Sequence, residues 1–266
     1  MKKYKHLFCF LMTLLVFSLS SNSSEIIATN ETINDPIHTI SADLAIFPLE
    51  ISSSSQKEIQ IDIPELPQKV KEKIEINYTI EDGILTLTSS PIKNLISFDS
   101  FNLFNTKSQP IRITLPQNFV LKNLTVHSNL DSVSLTDIKI QEATIHLDMG
   151  ELSLTNSEFE NLTANLNMGN LKAKQLTAKG SDIQLDMGNF TGTATLIGQH
   201  NLDVSMGNIE LDLLQKKSLT TVNSDVSLGS FKTDETLDAQ SSIITEDPST
   251  ITLEVDMGNV TLNFSK

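Results

Sequence analysis

Leu147-Asp148-Met149-Gly150-Glu151-Leu152 is followed by Leu166-Asn167-Met168-Gly169-Asn170-Leu171. The motif returns as Leu185-Asp186-Met187-Gly188-Asn189-Phe190 and as Val204-Ser205-Met206-Gly207-Asn208-Ile209. It appears again as Val226-Ser227-Leu228-Gly229-Ser230-Phe231, and last as Val255-Asp256-Met257-Gly258-Asn259-Val260. The first four glycines are 19 residues apart, and the next gaps are 22 and 29. A fixed period in this range marks a solenoid, each repeat one turn stacked on the last. The expected fold is therefore all-β: a single-stranded parallel β-helix or solenoid with ~19-residue Gly-centred repeats, preceded by a β-rich N-terminal portion.

Within a repeat, Ile145, Leu147 and Met149 alternate with His146 and Asp148. The next copies repeat this with Ala164, Leu166 and Met168, and with Ile183, Leu185 and Met187. Period-two alternation is the pattern of a strand with one buried face. After the glycine the phase shifts, and apolar residues fall two and four places on, as in Leu152 and Leu154 or Ile209 and Leu211. The Gly-Asn pair is thus read as a bend between two strands that share one core. Glycine suits it because it reaches positive φ without a Cβ clash, and asparagine tolerates that region better than most residues.

Two rows follow from stacking. Asn170, Asn189, Asn208 and Asn259 recur just after the glycine and are expected to form an amide ladder along one corner. Met149, Met168, Met187 and Met206 share the parity of the core leucines. They are expected to be flexible core filler near the corner rather than soft-metal ligands.

Charge and composition narrow the function. The net charge of −14 offers no basic patch for phosphates, which disfavours nucleic acid and anionic lipid as partners. Arg112 is the single arginine, and with 5% aromatic residues there are few stacking platforms for sugars.

The N-terminus reads as a secretory signal. Lys2, Lys3 and Lys5 precede an apolar run from Leu7 to Leu19, with small residues placed for cleavage after Ser20 or Ser23. The run is short for a membrane span, and it becomes a tether only if it is not cleaved. Cys9, the single cysteine, lies inside the run without a lipobox, so the mature chain has no disulfide. The expected organisation is a signal peptide at 1–23, a linker at 24–37 and a β domain at 38–265. That domain divides into an N-terminal β portion, 38–125, and the solenoid repeats, 126–265. Glu81-Asp82-Gly83 reads as a hairpin turn answered by Ile84-Leu85-Thr86-Leu87, and residues 92–109 read as irregular. The strand from Val255 to Leu262 is expected to leave an open edge unless another segment covers it.

Three pieces of this stretch resemble a known family. They are Ser41-Ala42-Asp43-Leu44-Ala45-Ile46, then Glu81 to Leu87, then Arg112-Ile113-Thr114-Leu115-Pro116, followed by the Gly-centred repeats. In this order they are similar to the opening strand, the hairpin and the pre-repeat strand of the bacterial envelope proteins labelled "putative adhesins", of the DUF4097 type. The resemblance spans roughly 38–265. It implies a parallel β-helix-like fold at the envelope and no defined activity. The chain departs from the family at the bend, reading Met-Gly-Asn where relatives often read Ser-Gly-Asp, so no acidic role after the glycine is carried over.

The sequence offers little chemistry. Asp148, Asp186 and Asp256 recur two places before the glycine on the outward face, but Asn167, Ser205 and Ser227 interrupt the stripe. Carboxylate pairs of this kind would serve a carbohydrate-active β-helix enzyme acting on an envelope or extracellular polysaccharide, the alternative reading. His127, His146 and His200 show no metal-ligand spacing. Outward Asp and Asn offer oxygens to calcium, but the repeat does not match the nonapeptide of calcium β-rolls, and a solvated face is the simpler reading. The expectation is a non-enzymatic, secreted or surface-held binding or scaffold protein. It has no cofactor, no assigned catalytic or metal residue, and an envelope or extracellular ligand as its partner. A specific surface ligand predicts a contiguous face of exposed apolar or aromatic residues.

Overall fold

A computed structural model describes residues 29–33, 35–66, 74–91, 109–237 and 247–265. The expected signal, and almost all of the stretch read as irregular, lie outside the described residues. The N-terminal strands are β1 (Thr29–Ile33), β2 (Thr39–Leu44), β3 (Leu49–Ser54), β4 (Ile59–Ile63), β5 (Ile74–Glu81), β6 (Ile84–Pro91) and β7 (Ile111–Pro116). The repeats supply β8 (Val120–Ser128), β9 (Val133–Thr136), β10 (Lys139–Thr155), β11 (Glu158–Met187) and β12 (Phe190–Met206). They continue with β13 (Ile209–Lys216), β14 (Thr220–Leu237) and β15 (Ser249–Ser265).

The repeat sets the pairing. β10 lies parallel to β11 with Ile145 against Ala164, Leu147 against Leu166, Gly150 against Gly169 and Leu152 against Leu171. On its other side β10 meets β8 before the glycine and β9 after it. Each copy of the motif is thus one rung with two flanks. Ile145, Leu147, Leu152 and Leu154 are all within 1% of full burial, so both flanks face one core, as the phase shift requires. Each such side chain stabilises the fold by roughly 1.5–3 kcal/mol relative to exposure.

Glycine at the bend answers to stacking as much as to φ. A Cβ on Gly207 would stand 1.6 Å from the peptide oxygen of Gly188, and one on Gly258 would stand 1.5 Å from that of Gly207. Successive bends touch through bare backbone. The opposite corner uses other residues: Asp137, Asn156 and Gln175 hold φ of 56°, 47° and 57°, the left-handed region that Asn and Asp tolerate best.

The sheet is not uniformly parallel. β1 runs antiparallel to β4, β4 to β7 and β5 to β6, so the strand order is mixed. The β5–β6 hairpin closes on Asp82 and Gly83, at φ 50° and 77°, the two positive-φ positions of a type I′ turn. Thr29–Ile33, inside the stretch read as linker, forms β1 because Ile33 finds a buried place beside β4.

Spatial order departs from chain order at both ends. β2 lies between β6 and β8, and β3 between β7 and β9. At the far end β15 lies between β12 and β13 on one side and β14 on the other, with Leu202 against Leu253 and Val226 against Val255. The edge expected at Val255–Leu262 is therefore covered, and β14 is the outer strand. After β13 the chain steps over one strand spacing through a single 3-10 turn at Lys217–Leu219, and β15 fills the gap.

Candidate binding surface

The methionine row faces outward, which corrects the sequence reading. Met149, Met168, Met187, Met206 and Met257 are 38–46% exposed, and Leu228, their counterpart in β14, is 68% exposed. Parity fails because the bend begins before the glycine. Leu147 is buried, but both Asp148 and Met149 point away from the core, so the alternation skips a beat. Met149 is paired with Met168, Met187 with Met206, and Met257 with both Met206 and Leu228. Neighbouring strands are about 4.8 Å apart, so the row forms an apolar ridge about 24 Å long.

Beside the ridge runs the expected amide ladder. The Oδ1 atom of Asn170 accepts from the backbone N–H and the Nδ2 of Asn189, at 3.0 and 3.1 Å. Asn208 donates likewise to Asn189, and Asn259 to Asn208. Ser230 ends the row by donating its N–H and hydroxyl to Asn259. Where Glu151 replaces Asn, its N–H donates to the hydroxyl of Ser132 on the rung before. A second amide contact, Asn156 to Asp137, joins two rungs at the opposite corner.

The flank before the bend carries outward polar rows. At one end of the stack Asp43, His127 and His146 occupy one register position on neighbouring strands. The two imidazoles stack with centroids 5.0 Å apart and planes 12° apart. His127 Nδ1 lies 3.4 Å from Asp43 Oδ1, and His146 Nε2 lies 3.1 Å from Asp148 Oδ1. His127, His146 and Asp148 each offer a ligand atom within 4.8 Å of the others. Sequence spacing missed this group because the two histidines are one full repeat apart, which is adjacency in a stack.

Further along the same face, Asp182, Asp186, Asp203 and Asp256 share one neighbourhood. Partial burial raises the pKa of Asp203, and the charges of Asp256, Asp186 and Asp182 raise it further. Two members of the interrupted Asp stripe, Asp186 and Asp256, thus belong to a local acidic patch. Inside the stack, His200 is buried with Nδ1 2.8 Å from Ser181 Oγ and Nε2 3.0 Å from the carbonyl of Ile197. Desolvation by burial lowers its pKa to about 4, against a smaller opposing effect of the Ile197 carbonyl. A polar depression of about 420 Å³ lies at the other corner, lined by Ser53, Asn118, Asp137, Lys139, Asn156 and Glu158 among others.

A profile of the family described as Toastrack DUF4097 matches residues 18–263. The chain belongs to the Toastrack DUF4097 family. Three solved structures are similar to this Toastrack chain. One is named a putative cell adhesion protein from Clostridium sporogenes, with 14% identity over 90% of this chain and 100% of that one, at a TM-score of 0.30. A second is named a putative adhesin from Bacteroides fragilis, with 14% identity over 90% and 98% of the two chains and a TM-score of 0.39. The third, a putative adhesin from Parabacteroides merdae, shows 12% identity over 92% and 98%, at a TM-score of 0.38. No curated protein matches. Among the described residues of this Toastrack chain, no helix is long and apolar enough to cross a membrane.

Proposed function

We propose that the chain is an exported, non-enzymatic binding scaffold of the bacterial envelope, adhesin-like in role, wound as a β-solenoid whose contact surface is the methionine ridge. The ridge carries this reading. A soluble chain that exposes one large apolar side chain on each of six adjoining rungs leaves a contiguous apolar row where the same positions could hold polar residues. Methionine is flexible and polarisable, and surfaces rich in it repack against partners of varied shape. The amide ladder beneath holds the rungs in register and so keeps the row straight. Export is supported by the charged and apolar N-terminal pattern of Lys2 to Ser20. The acidic patch does not favour a carbohydrate-active enzyme, because Asp182, Asp186, Asp203 and Asp256 line neither the corner depression nor the smaller one beside Lys139 and Lys179.

Two measurements test the proposal. N-terminal sequencing of the protein from fractionated cells is expected to find a start near Ser21 or Ser24 in the wall or medium fraction; an intact Met1 in the cytosol defeats export. Co-sedimentation with isolated envelopes is expected for the native chain. It is expected to be lost when Met149, Met168, Met187 and Met206 are all replaced by glutamine at unchanged thermal stability. Equal sedimentation of the two removes the ridge as the contact surface.

A further inference from the structure

We propose that His127, His146 and Asp148 form a binding site for a divalent transition-metal ion of borderline softness, of which zinc is the representative. Two imidazole nitrogens and a carboxylate oxygen are the donor set such ions prefer, whereas calcium and magnesium take oxygen alone.

The three donors stand within reach of one ion. The three candidate ligand atoms lie within 4.8 Å of one another. Zinc–nitrogen and zinc–oxygen bonds of about 2.0–2.2 Å in a tetrahedron place ligand atoms about 3.4 Å apart. Closing that difference, and turning the two stacked rings so that both nitrogen lone pairs point at one ion, takes rotation about side-chain torsions and no backbone movement. All three groups stand on the outward faces of paired strands β8 and β10, so the scaffold holds them while their ends remain free to adjust. Their side chains are 46%, 35% and 42% exposed, which leaves the site open to ions from solution.

The groups around the cluster also have the form of a metal site. Ligating histidines generally donate their second ring N–H to a carboxylate, which fixes the tautomer and orients the ring. Asp43 stands in that position, 3.4 Å from Nδ1 of His127, and leaves Nε2 as the ligating atom. The carboxylate is held in its turn, since Asn167 Nδ2 donates to Asp148 Oδ1 at 2.9 Å. Asp43, His127, His146 and Asn167 come from four successive strands. The ligands therefore meet only when the rungs of β8 and β10 are stacked, and the metal clips β8 to β10. A fourth position is open to water or to a donor from a partner.

The test is a zinc titration of the purified full-length chain by calorimetry, with competition against a chromophoric chelator. One zinc per chain is expected. His127→Ala and His146→Ala are expected to weaken binding by at least roughly tenfold, and Asp43→Asn, which leaves every ligand in place, by roughly tenfold. His38→Ala removes an exposed histidine outside the cluster and is expected to bind as the native chain does. Circular dichroism melts check that each variant is folded, which is expected because these side chains point away from the core. Absence of binding by the folded native chain overturns the proposal. So does binding that His127→Ala and His146→Ala leave unchanged, which would mark adventitious surface uptake. The titration does not depend on the methionine ridge, so the two proposals stand or fall separately.

Discussion

The peptide oxygen of Gly188 occupies the space that a side chain on Gly207 would need: an added Cβ would meet it at 1.6 Å. That distance is less than half an ordinary carbon–oxygen contact, and the obstacle is backbone, which cannot swing aside. The rungs can pack this closely at the bend only if neither glycine carries a side chain.

Gly207→Ala is therefore expected to cost at least about 3 kcal/mol, at the severe end of single substitutions. Gly180 is the contrast. Its added Cβ would meet the Oδ1 of Asn161 at 2.8 Å, the end of a movable side chain. Gly180→Ala is expected to change stability by less than about 1 kcal/mol. Urea unfolding of the two variants beside the native chain measures the difference.

Met168→Gln is expected to shift stability by no more than about 0.5 kcal/mol, because the side chain is already in water. Leu166→Ala, two residues away and 1% exposed, is expected to cost about 2–5 kcal/mol. Had the methionines been core, the two costs would be comparable, so thermal melts of both variants decide the orientation of the row.

Asn189 sits mid-ladder, accepting from Asn208 and donating to Asn170. Asn189→Ala removes these bonds and is expected to cost about 1–3 kcal/mol. Asn189→Asp keeps the acceptor for Asn208 but sets a charged oxygen against Asn170 Oδ1, and it is expected to be no better than alanine. Denaturant midpoints of the two variants rank them.

His200 makes the stack sensitive to acid. Burial holds the folded-state pKa at about 4, while the unfolded chain protonates near the ordinary histidine value of 6.5. Between those values the unfolded state binds more protons, so the contribution is complete above pH 6.5 and is lost as pH falls toward 4. The shift corresponds to about 3 kcal/mol. His200→Gln, which cannot ionise, is expected to lose less stability than the native chain between pH 7 and pH 4.5. Parallel urea titrations at both pH values report it, the difference between the chains cancelling carboxylate effects common to both.

Local sequence pattern revealed the glycine bend, the phase shift that buries Leu147 and Leu152 together, and the Asp82-Gly83 hairpin. Its period also revealed the ladder of Asn170, Asn189 and Asn208. It misled at Met149, since alternation can be counted only while the pleat continues and the bend interrupts it one residue early. The left-handed corners at Asn156 and Gln175 carry no glycine and gave no signal. The neighbourhood of His127, His146 and Asp43 is a relation between rungs, and it is legible only once the 19-residue period is used as a ruler for side chains as well as for strands. The place of β15 could not be read at all, because Val226 and Val255 head equally good copies of one motif and nothing local says which stands outside.

That exchange of places gives the chain a clock. Synthesis delivers β14 before the strand that pairs along its whole length, so Thr220–Leu237 waits with exposed hydrogen-bonding groups until Ser249–Ser265 has emerged. This end of the stack therefore becomes complete only when β15 has been made. Until then the far end of the stack lacks the strand that joins β12 and β13 to β14.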